Sequence, residues 1–203
     1  MQKWNREDQS SSSISLIASS IKILNNLIDD NNKCKEVINT PNALHSLCTL
    51  SSYKINIHFK QENDQQTLAL RSGSRTCLWY IQLWGDASTQ SELVNANYTG
   101  VLVIAISTAS GSGEEQDNDI QYGLFRITEF IRCLNNEKQN SFPPQPLLAH
   151  RSDEQIEEEG GNEEIDSQLI NKGHYYYNID FQANETKGAI LNYFIEQGNP
   201  KPD

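Results

Sequence analysis

The chain has 203 residues, and its 27 acidic against 16 basic side chains leave a formal net charge of −11. Phosphate neutralisation needs a basic excess, so this balance argues against nonspecific nucleic-acid binding. No apolar run approaches the roughly 20 residues that span a bilayer, and a chain of this length buries roughly 70% of its unfolded surface, enough for one core without metal or disulfide.

The opening segment, 1–12, is polar. It lacks the apolar stretch of a secretory signal, so a cytoplasmic protein is expected, with nuclear or cytoskeletal association open. Residues 14–28 place Ile14, Ile17, Ile21, Leu24 and Ile28 at helical spacing, with Leu16, Ile23 and Leu27 widening the stripe. The preceding serines offer N-cap oxygens, and Asp29-Asp30-Asn31-Asn32 stops the helix. A short helix fits 33–39. Thr40-Pro41 then reads as N-cap and first helical position of a helix through Leu44, Leu47 and Leu50.

A polar insertion, 51–65, precedes a long helix over 67–84, where Leu70, Ser74, Cys77, Leu78, Ile81 and Trp84 share a face. Gly85-Asp86 ends it, and a short helical candidate covers 89–95. The run GVLVIAIST at 100–108 is ambiguous, since a buried strand has the same apolar continuity as a buried helix. As a strand it would place the chain among α/β domains.

A second insertion, 109–118, leads into an amphipathic helix over 119–135 carrying Ile120, Leu124, Ile127, Phe130, Ile131 and Leu134. Residues 136–165 combine Pro143, Pro144 and Pro146 with a run of glutamates, and read as an acidic, flexible insertion. The chain closes with IDSQLIN, the tyrosine-rich HYYYNIDFQ and a helix over 185–197, stopped by Gly198 and Pro200.

Three segments align: Lys35-Glu36-Val37-Ile38-Asn39, Ser91-Glu92-Leu93-Val94-Asn95 and Ser167-Gln168-Leu169-Ile170-Asn171. Each precedes a break, a second apolar segment and a longer helix. Short, short, long is the pattern of a superhelical repeat, in which stacked units build a core that none can bury alone. The expected fold is therefore all-α: residues 1–203 as a single short α-solenoid of about three units, with an extra long helix in front.

In this pattern the chain resembles the armadillo family, and more loosely HEAT repeats. In SIKILNNLIDDN (20–31), Leu24, Asn26 and Leu27 match the family's leucine, groove asparagine and following apolar residue. In TCLWYIQLWGD (76–86), Trp79 matches the family tryptophan and Ile81 its leucine, while Leu83 stands where asparagine belongs. Glu129 and Cys133 occupy the corresponding two places in the third long helix, and Tyr193 the asparagine place in the last. The resemblance implies that the long helices line a concave, partner-binding surface.

No G-x-G-x-x-G, Walker lysine or G-x-S-x-G elbow occurs. His45 and Cys48 stand three apart without a second pair to complete a zinc site. The four cysteines, Cys34, Cys48, Cys77 and Cys133, read as buried free thiols. No metal, cofactor or catalytic set is expected, and the leading expectation is a non-catalytic scaffold or adaptor within a larger assembly, binding a protein partner of basic character. The candidate contact residues are Lys22, Asn26, Arg71, Arg75, Trp79, Gln82 and Glu129; Lys22, Arg71, Arg75, Arg126 and Arg132 are expected to be exposed on the long helices. The rival expectation is an enzyme or regulator with Cys77 or Cys48 as a reactive thiol.

Overall fold

The computed structural model describes residues 2–28, 36–53, 61–107, 117–135, 142–171 and 178–192. These residues are all-α, without a strand among them. The chain divides into two compact units, Met1–Ala96 and Asn97–Asp203.

The first unit holds α1 (Gln2–Leu27), α2 (Ala43–Ser51), α3 (Gln61–Trp84) and α4 (Ala87–Asn95). α1 runs straight through the serines expected to cap it. Further along, inside the helix, the Ser20 hydroxyl returns to the Leu16 carbonyl at 2.9 Å, one turn back. The buried stripe is narrower than the spacing predicts, with Ile14, Ile21 and Ile28 buried while Leu16, Ile17, Ile23 and Leu27 face solvent. α2 begins at Ala43, behind an Asn42 in the left-handed region at φ 61°, rather than at Thr40-Pro41. That places Leu44, Leu47 and Cys48 in the core. Residues 36–38 form a helical turn; the rest of the short helix expected at 33–39 lies outside the described residues.

α3 is the centre of this unit, packed against α1, α2 and α4. It buries two adjacent stripes, Leu70, Ser74, Cys77 and Ile81 on one and Arg71, Arg75, Leu78 and Gln82 on the other. Asp86 does more than stop it. Its carboxylate accepts from the Thr89 amide and hydroxyl, both at 3.0 Å, and so caps α4.

The second unit holds α5 (Tyr98–Ser107), α6 (Asp117–Leu134), α7 (Pro146–Glu158), α8 (Gly161–Gln168) and α9 (Ile179–Asn192). The ambiguous 100–108 run is helix over its described residues, which removes the α/β alternative. α5 is packed by α6, α7 and α8 and buried over nearly its whole length. A helix covered on all sides needs no polar face, hence its lack of periodicity. Tyr98 meets Phe130 of α6 edge-to-face, centroids 5.2 Å apart.

The acidic 136–165 segment is corrected in its described part. Pro146 opens α7 from its first turn, where its fixed φ suits a helix start. Ala149, Ser152, Asp153 and Ile156 then recur at helical spacing as the buried face, while Glu154, Glu157 and Glu158 point outward. Gly160, at φ 69°, turns the chain directly into α8. Thr99 of α5 ties this pair inward, its hydroxyl donating to Gln155 Oε1 at 2.7 Å.

α9 begins at Ile179, six residues before the expected start, and packs on α6 and α8. Its seam with α6 is polar: the Thr128 and Thr186 hydroxyls meet at 2.9 Å in the interior, and Arg132 donates to Glu185 at 2.7 Å. The second and third of the aligned five-residue segments fall at the ends of α4 and α8, but their environments differ. Val94 is fully buried, whereas the equivalent Ile170 is 86% exposed.

Candidate functional site

In the first unit, α1 and α3 approach closely because α3 carries a glycine where they cross. A Cβ on Gly73 would stand 2.9 Å from Ile21 Cγ2. The crossing is braced by Asn25. Its amide nitrogen donates to the Gly73 carbonyl at 3.0 Å, and its amide oxygen accepts from the Cys77 thiol at 2.9 Å.

Beside that brace a groove of about 540 Å³ opens between the two helices. Ala18, Ala69 and Gly73 give it a floor of small residues, and Ser15, Ser19, Lys22, Gln65 and Gln66 supply polar walls. Gln66 Oε1 is buried and accepts no hydrogen bond among the described residues. An acceptor withdrawn from water and left unmatched is costly. Amides and hydroxyls on two sides of a narrow channel can match the alternating N–H and C=O groups of an extended backbone.

The candidate contact residues divide sharply. Lys22 lines the groove and is exposed; Asn26, one turn on along the same side of α1, is exposed as well. Arg71 and Arg75 are not the exposed stripe expected of them. Both are buried, Arg75 to 1% exposure, and Arg71 Nη1 reaches the Tyr53 carbonyl at 3.4 Å. Long aliphatic stems let arginines lie within packed helices while the guanidinium finds carbonyl partners. Trp79 is half-buried and Gln82 buried, and Gln82's carbonyl accepts from the Gln90 side chain at 3.0 Å. In the second unit, Glu129 is half-buried on α6. Arg126 is also buried, its guanidinium 5.7 Å from the centre of the Tyr122 ring. Arg132 is half-buried in its ion pair with Glu185. Tyr193 lies outside the described residues.

Asn25, Gln65 and Gln66 join the site without having been singled out by sequence pattern. Asn25 did leave a signal: it falls on the same helical stripe as Ile21 and Ile28, where an unmatched amide would be expensive. Gln65 and Gln66 left none, because only the crossing of α1 and α3 brings them to the groove.

Cys48 and Cys77 are poorly placed for thiolate chemistry. Burial pushes both Cys48 and Cys77 up to about 12, far from the thiolate at neutral pH. His45, three residues from Cys48, is exposed while the thiol is buried. Among the described residues no three His, Cys, Asp or Glu side chains gather closely enough to hold a metal ion. Nor is any helix there long and apolar enough to cross a membrane.

No protein-family model matches this chain, no curated protein matches it, and no solved structure matches its fold.

Proposed function

We propose that the chain is a non-catalytic interaction module, an armadillo-like helical stack that seats an extended segment of a partner protein between its long helices and serves as a subunit of a larger assembly. The groove between α1 and α3 carries this reading: a small-residue floor, polar walls and the unmatched Gln66 acceptor suit a peptide backbone better than a compact metabolite. The pairing of long helices within each unit, α1 with α3 and α6 with α9, supports the stacked arrangement. Lys22 lines the groove, and Asn26, at the position where the resemblance sets a groove asparagine, is exposed one turn further along α1.

The test is affinity purification of the full chain from its native source with mass spectrometry, run beside two groove variants. Ala69→Trp fills the channel, and Lys22→Glu reverses the charge on its wall. Partners retained by the wild type should be lost from both variants while the circular dichroism spectra stay the same. A partner set indifferent to both changes would refute the groove, and a catalytic turnover assigned to the chain would refute the non-catalytic reading.

A further inference from the structure

The second unit holds a smaller cavity, about 240 Å³, where α7, α8 and α9 converge. This is below the roughly 300–1,000 Å³ of sites for drug-sized ligands; it has room for one side chain. α7 contributes Asp153 and Glu157, α8 contributes Ile165 and Asp166, and α9 contributes Lys187 and Ile190. Charge in the cavity is unbalanced. Lys187 Nζ lies 2.6 Å from Asp166 Oδ1, and that pair neutralises itself. Asp153 and Glu157, one turn apart on α7, are two like charges at a spacing that repels.

Asp153 is the telling residue. The residue is only 8% exposed, and it lines the cavity. Its electrostatic neighbours are His150, which attracts it, and Glu154 and Glu157, which repel it. With Asp153 on the cavity wall and a second carboxylate, Glu157, at its rim, the local field favours a cation.

We propose that this cavity receives the guanidinium of an arginine side chain from a partner protein. Arginine fits better than lysine, because its planar fork can meet Asp153 and Glu157 together whereas an ammonium acts as a point charge. Ile165 and Ile190, both buried in the wall, would cover the methylene stem. The proposal rests on the chain being a protein-interaction module, and it assigns that module a basic anchor residue in the partner, away from the α1–α3 groove.

The experiment titrates the isotope-labelled full chain with the acetylated, amidated tripeptide Gly-Arg-Gly and follows amide NMR shifts. Parallel titrations use Gly-Lys-Gly and Gly-citrulline-Gly, the latter isosteric with arginine but uncharged. Saturable shifts confined to α7, α8 and α9 are expected for the arginine peptide. Asp153→Asn and Glu157→Gln should each weaken them by about tenfold or more. Lys187→Met, which frees Asp166 to join the anionic set, should instead tighten binding several-fold, an effect that a merely structural role for Lys187 would not produce. Shifts that do not saturate, an equal response to the lysine or citrulline peptide, or binding that survives Asp153→Asn would overturn the assignment. Such a failure leaves the groove reading intact, because the groove variants leave α7–α9 untouched. Conversely, arginine binding alongside groove variants that lose no partner would sink the groove alone.

Discussion

At the scale of single residues, the two units are held by a few polar side chains that each do a specific mechanical job. Asn25 spends both ends of its amide on α3, at Gly73 and Cys77. Asn25→Ala removes both bonds and leaves the Cys77 thiol unmatched, so it should cost about 1–3 kcal/mol of stability, read as a lower urea midpoint with unchanged slope. Asp153 acts in the opposite sense. Burial, reinforced by Glu157, raises its pKa above the ordinary carboxylate value of 3.8. Between that value and the raised one the folded chain binds more protons than the unfolded chain, so stability falls as pH rises through this window. Above the window the penalty of the buried charge is complete. Asp153→Asn should therefore raise the urea midpoint at pH 7, and its advantage over the wild type should shrink as pH drops toward 3.8. A variant with the wild-type midpoint at pH 7 would show that the charge carries no cost. The arginines teach a related lesson about legibility. Lys22 and Asn26 stand where a helical wheel puts them, but Arg71, Arg75 and Arg126 are interior. Charge alone suggests solvent. What decides their place is the availability of partners: the Tyr122 ring stands one turn before Arg126 on the same helix, a spacing the sequence does show, whereas the Tyr53 carbonyl that meets Arg71 comes from outside its helix and leaves no mark in the spacing.

At the scale of elements, glycines separate close helix approaches from ordinary helix positions. A Cβ at Gly123 of α6 would stand 2.6 Å from Ile106 Cγ2 of α5, a contact no real Cβ sustains. Gly188, well inside α9, would meet nothing within 4 Å. Gly188→Ala should thus stabilise by about 0.5–1 kcal/mol, the helix-propensity gain without a clash. Gly123→Ala should destabilise by about 1–3 kcal/mol through overpacking. Thermal melts of the two variants should move in opposite directions; a Gly123→Ala melt at or above that of the wild type would mean that the α5–α6 spacing is not fixed by Gly123, and a lowered Gly188→Ala melt would mean that Gly188 is not an ordinary helix position. The elements most legible in the sequence are those with one apolar face: periodicity places α6 at 119–135, and it runs Asp117–Leu134. α5 is ambiguous in the sequence because burial on every side erases periodicity, and only the structure settles it as helix. Composition hides α7 and α8. Their glutamates resemble a disordered tract, yet the sparse series Ala149, Ser152, Asp153, Ile156 and Ile165 is enough to seat them, because Pro146 and Gly160 set the start of one and the turn into the next.

At the scale of the whole chain, each unit keeps its own apolar interior, and in the second unit that interior depends on elements from both ends of its sequence. α5 and α6 carry Tyr98, Leu102, Ile106, Ile127 and Phe130, all fully buried. The surfaces covering them come from α7 and α8 against α5, and from α9 against α6. A chain ending at residue 135 keeps both apolar helices and loses every one of these covers. Each of those side chains is worth roughly 1.5–3 kcal/mol when withdrawn from water, and together they amount to a contiguous patch of the kind that drives association. Such a truncation should sediment as aggregates and lose cooperative melting, whereas the full 203-residue chain should melt cooperatively. The acidic α7–α8 region is then a structural requirement and not an ornament: its glutamates keep the outer surface charged while Ile156 and Ile165 close the inner one. If the truncated chain instead stays monomeric and melts in a single sharp transition, α5 and α6 must find their cover elsewhere, and α7, α8 and α9 are then dispensable to this core.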